Sequence, residues 1–79
     1  MSAYEALLSF LSKLDALHVH YTLQHNRDEA IMVVIAVPGA RWEVEFMADG
    51  QIDVEIFRSD GRILHDAELL NALLRKEAE

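Results

Sequence analysis

Apolar positions change their spacing twice along the chain, from helical to alternating and back to helical. In "SAYEALLSFLSKLDAL" the residues Leu7, Phe10, Leu11, Leu14 and Leu17 recur three and four apart, which places them on one stripe of a helix. Ser12, Lys13 and Asp15 fall off that stripe. Ser2 and Glu5 have the spacing of a capping box, in which each side chain meets the other residue's backbone amide. A first helix is therefore expected to run to about Leu17 and to bury one face.

From His18 the period falls to two. Val19, Tyr21 and Leu23 take one side of a strand, with His18, His20, Thr22 and Gln24 on the other. Asn26 and Asp28 in "HNRDE" supply turn chemistry. "AIMVVIAV", Ala30 to Val37, is apolar on both faces and rich in β-branched residues, as a central strand would be. Pro38 and Gly39 end it, because proline lacks a donor and glycine permits a turn.

"RWEVEFMADGQIDVEIF" alternates Trp42, Val44 and Phe46 with Glu43 and Glu45, then Ile52, Val54 and Ile56 with Asp53 and Glu55. A two-residue turn at Asp49-Gly50 would set apolar Phe46 opposite Asp53. The pleat forbids this, since directly paired residues share a face. A three-residue loop, Ala48-Asp49-Gly50, restores parity and pairs Phe46 with Ile52, Val44 with Val54 and Trp42 with Ile56. Gly50 then takes the left-handed position of a bulged turn. "SDGR" is a further turn, with Ile63 and Leu64 as a short extension. Beyond it, Asp66 can cap a second helix burying Leu69, Leu70, Leu73 and Leu74, with Arg75 and Lys76 suited to its C-terminal end.

These elements predict an α+β fold. It is a two-layer sandwich in the order helix, four-stranded antiparallel meander, helix, with both helices on one face of the sheet. The covered face would hide Val19, Tyr21, Leu23, Ile31, Val33, Ile35, Trp42, Val44, Phe46, Ile52, Val54 and Ile56. Residues 1–79 read as a single domain, and Met1 as a native start, so this domain is expected to be the entire protein.

Composition narrows the function classes. Hydrophobic residues make up 52% of the chain, too many for a disordered segment. Fourteen acids against seven bases give a net charge of −7, which disfavours nucleic acid and anionic membranes and favours a basic protein partner. The chain has no cysteine, so a cytoplasmic location is expected. No basic region precedes the N-terminal apolar residues, as a signal peptide would require, and no apolar run approaches the roughly 20 residues of a membrane helix.

The register makes one surface unusual. On the outer face Glu43 would sit opposite Glu55, and Glu45 opposite Asp53. Six of the 14 acids lie between Glu43 and Asp60. Met32 and Val34 would stand beside this row, and Phe57 beyond Glu55. Apolar residues flanked by acids suggest a protein-binding surface, so Glu43, Glu45, Asp53, Glu55, Met32, Val34 and Phe57 are the candidate partner contacts. The bland alternative is a solvated face whose charges discourage edge pairing.

Catalytic and cofactor chemistry find little support in the sequence. His18 and His20, two apart on one strand face, could begin a zinc site, but the acidic row would lie two strands away, about 10 Å. Ser2, Ser9, Ser12 and Ser59 have no base partner in view, and no phosphate-binding glycine motif occurs. A non-enzymatic protein with no cofactor and no metal is expected.

The stretches "HYTLQHNRDEAIMVVIAVPGARWEVEF" and "DGQIDVEIFRSDG" resemble small bacterial immunity proteins of toxin–immunity pairs, including contact-dependent inhibition systems. The resemblance covers about two thirds of the chain. It implies binding of one cognate toxin domain, usually a basic nuclease, and occlusion of its active site. No family residue carries over. The other expectation is a small acidic chaperone or adaptor that holds an extended client. A homodimer through the apolar half of the sheet or an edge is also expected.

Overall fold

A computed structural model describes residues 2–65. Helix α1 spans Ala3–Ala16, and five strands follow: β1 (Tyr21–Arg27), β2 (Ala30–Val37), β3 (Ala40–Met47), β4 (Ile52–Arg58) and β5 (Ile63–Leu64). They form one antiparallel sheet in the order β1-β2-β3-β4-β5.

Both ends of α1 are closed by local chemistry. Ser2 Oγ accepts from the Glu5 N–H at 3.1 Å, and the Ser2 N–H donates to Glu5 Oε1 at 3.3 Å, completing the capping box. At the other end the Val19 N–H donates to the Leu14 carbonyl at 2.9 Å, and the His18 N–H to the Asp15 carbonyl at 3.1 Å. This is a Schellman motif, and Val19 and Leu14, its usual hydrophobic pair, are both buried. His18 occupies the left-handed position at φ +57°, where glycine is the common choice. His18 is therefore a helix-ending residue, and His20 precedes β1. The expected pair of histidines on one strand face does not form.

The predicted order of helix, four strands and helix is corrected. Among the described residues one helix, not two, flanks a five-stranded meander. The fifth strand exists because two loops share one design. In the first, the Met47 N–H donates to the Gln51 carbonyl, the Gly50 N–H to the Met47 carbonyl, and Asp49 Oδ1 accepts from the Gln51 N–H. In the second, Arg58, Arg62, Gly61 and Asp60 repeat those roles. Gly50 and Gly61 have φ of +95° and +90°. "ADG" and "SDG" are thus the same three-residue hairpin loop, and the second turns Ile63 and Leu64 back onto Phe57 and Ile56. The second helix predicted from Asp66 lies outside the described residues.

Phe10 and Leu14 of α1 join Val19, Val33, Ile35, Trp42, Val44, Phe46, Val54 and Ile56 in one core. Phe10 and Phe46 meet with ring centroids 5.4 Å apart at 42°, a tilted aromatic contact. Tyr21 Oη donates to Asp15 Oδ1 at 3.0 Å and ties β1 to the helix. Among the described residues, however, one helix does not cover all five strands. Leu23 and Ile52, both expected in the covered face, are 52% and 46% exposed.

Candidate partner-binding face

The three-residue loop sets the predicted register. Phe46 pairs with Ile52, Val44 with Val54 and Trp42 with Ile56. Consequently Glu43 lies opposite Glu55, and Glu45 opposite Asp53, on the face away from α1. Pairing with β2 extends both rows. One reads Thr22, Val34, Glu43, Glu55 and the next Gln24, Met32, Glu45, Asp53. A third runs Ala36, Arg41, Phe57, Ile63. The seven candidate contacts therefore share one face, which no described element covers. The structure adds Ile63, 53% exposed, beside Phe57.

The acids are not equivalent. Arg27 donates to Glu45 through Nη2 at 2.6 Å and Nε at 3.2 Å, a bidentate pair. This pair raises the Arg27 pKa above its already high ordinary value, through the hydrogen bond first and the charge of Glu45 second. Arg41 Nη2 lies 3.0 Å from Glu43 Oε2, and its guanidinium sits 4.8 Å from the centre of the Phe57 ring. Two of the four acids are thus internally neutralised. Asp53 and Glu55, adjacent outward residues of β4, have no ion pair among the described residues.

A bulge brings Arg27 to this face. Tyr21 to Gln24 pair in step with Ile35 to Met32, but Arg27 pairs with Ala30, so His25 and Asn26 together oppose Ile31. Simple alternation from Tyr21 would point Arg27 toward the helix. The one extra residue turns it to the outer face, within reach of Glu45. Sequence reasoning missed both arginines. Arg41 was readable, since it stands two residues before Glu43 and shares its side of the strand. Arg27 was not, because a bulge with a two-residue turn and a plain three-residue turn use the same number of residues.

Hydrogen-bond parity softens the acid–acid contacts. The Met47–Gln51 and Ser59–Gly39 backbone bonds fix which pairs are hydrogen-bonded. Counting in twos between them makes Glu45/Asp53 and Glu43/Glu55 hydrogen-bonded pairs, whose Cα atoms are about 5.5 Å apart rather than about 4.5 Å. The wider spacing lowers a cost that is a few tenths to about 1 kcal/mol for like charges directly opposed.

Other surfaces offer less. A groove of about 210 Å³ lies between the first turn of α1 and the hairpin ends, lined by Tyr4, Leu7, Glu29, Ile31, Phe46 and Met47. It holds no nucleophile beside a base. Among the described residues no three His, Asp or Glu side chains are grouped to hold a metal ion, and no helix is long and apolar enough to cross a membrane. Comparison with protein-family models, curated proteins and solved structures finds no match.

Proposed function

We propose that this chain is a non-enzymatic protein-binding domain whose outer sheet face takes a basic protein partner. The observation that carries the reading is the composition of that face. Met32, Val34, Phe57 and Ile63 supply apolar area, and Asp53 and Glu55 supply charge that forms no ion pair among the described residues. Apolar centres flanked by charge are typical of recognition surfaces, and the charge raises the rate of encounter with a cationic partner. The net charge of −7 acts in the same direction at long range.

Within this reading the chain acts as an immunity-type inhibitor in the cytoplasm. Its acids would take the place of substrate phosphates on a nuclease, and binding would thereby occlude the active site. A second reading, an adaptor for an extended client segment, is favoured by the stretch of β4 before Ile56, which no described strand pairs on its outer edge.

The test is capture of natural partners by the intact chain and by a variant with Glu43, Glu45 and Glu55 changed to Gln and Asp53 changed to Asn. The variant should lose the partner, and the identified partner should be a basic protein. Retention at equal affinity would remove the outer face from consideration. For the inhibitor reading, co-expression should rescue cells from a toxin encoded beside this chain, and failure to rescue would refute it.

A further inference from the structure

We infer that the outer edge of β4, from Ile52 to Glu55, accepts an extended segment of a partner as an added strand, with cations on its outward side and apolar residues on its core side. This deepens the protein-binding reading and rests on it.

The backbone groups of β4 alternate between its two edges. Asp53, Glu55 and Phe57 point their N–H and C=O groups toward β3, by the parity set out above. Ile52, Val54, Ile56 and Arg58 therefore point theirs away from β3. Arg58 is bonded to Arg62 at 2.9 Å, and Ile56 pairs with Leu64. β5 is described for only two residues, so Ile52 and Val54 have outward backbone groups with no partner among the described residues. Such a row is a template for strand addition.

The side chains define what would fit. An incoming strand is directly cross-strand to β4, so its residues opposite Asp53 and Glu55 lie on the outer face. Two cations spaced i, i+2 would meet these two acids. The residues opposite Ile52 and Val54 lie on the core side, where Ile52 is 46% exposed and gains cover from an apolar neighbour. The occupant is thus a protein segment of alternating basic and apolar residues. The chain's own later sequence is a poor match. Continued in the β5 register, it would set Asp66 and Glu68 against Val54 and Ile52 on the apolar side, leave Asp53 opposite the uncharged Ala67, and offer only the imidazole of His65 to Glu55.

The experiment uses the full chain, isotope-labelled, and three capped octapeptides. One alternates Lys and Val, one has the same composition in two blocks, and one alternates Glu and Val. The alternating Lys–Val peptide should bind, and should slow amide exchange at Ile52 and Val54. The other two should not. Asp53→Asn with Glu55→Gln should weaken binding by at least about tenfold, with a smaller salt dependence.

Three outcomes would each overturn the inference. One is slow exchange at Ile52 and Val54 in the peptide-free protein, which would mean that the chain itself or a second copy occupies the edge. Another is equal binding of the alternating and block peptides. The third is binding with no protection at those two amides. None of them bears on the outer-face reading, which fails only if the natural partner ignores the neutralised face.

Discussion

His18 shows how one residue can end a helix at some expense. A non-glycine residue in the left-handed region is strained by roughly 1–2 kcal/mol, which glycine's greater unfolded-state freedom only partly offsets. His18→Gly should therefore stabilise the protein by a few tenths to about 1 kcal/mol in urea denaturation. Destabilisation would mean that the imidazole has a contact of its own. Asp60 makes a second prediction. The Arg62 backbone N–H, more than the Arg62 side chain, holds its carboxyl below the ordinary carboxylate pKa. A group with a depressed folded pKa stabilises the fold above its unfolded value, near about pH 4, and loses that contribution as pH falls through the folded value. Asp60→Asn should accordingly lower the melting temperature at neutral pH and narrow the gap to wild type in acid. A gap constant from neutral to acid pH would contradict the assignment.

At the scale of elements, the β1 bulge and the Arg27–Glu45 pair form one device. The bulge aims the arginine, and the arginine relieves the Glu45–Asp53 opposition. Glu45 is the more enclosed partner, its side chain 13% exposed against 48% for Arg27. A double-mutant cycle with Arg27→Gln and Glu45→Gln should give a favourable coupling that is larger at low salt. A coupling of zero at low salt would show that the pair does not support the face. The same region marks the limits of reading structure from sequence. Where side-chain parity leaves one solution, as between Phe46 and Ile52, the register and the shared face of the candidate residues were legible. Between Leu23 and Ile31 parity allows two solutions, and the wrong side of the strand looks equally good for Arg27. The strand formed by Ile63 and Leu64 was visible only as an extension, because two residues carry no period.

On the scale of the whole molecule, the described residues set one helix over five strands and present two kinds of surface: a core side that this helix covers in part, and an outer face with no described cover. An antiparallel sheet tolerates such a face when it alternates. Here β2 departs from alternation, since Met32, Val34 and Ala36 put apolar groups outward. A face-to-face pair of copies would bring two sets of Asp53 and Glu55 together. Self-association through this face should thus be weak at low salt and strengthen as salt screens the acids, which sedimentation velocity would reveal.

The proposed recognition of a basic partner rests on Asp53 and Glu55, which form no ion pair among the described residues, whereas Glu43 and Glu45 are paired with Arg41 and Arg27. Its most direct measurement is the dissociation constant of the purified complex for two matched double variants, Asp53→Asn/Glu55→Gln and Glu43→Gln/Glu45→Gln, across a salt series. The first should weaken binding by about tenfold or more and flatten the salt dependence, and the second should change it by less than about threefold. Equal effects of the two pairs, or a larger effect of the second, would contradict the claim.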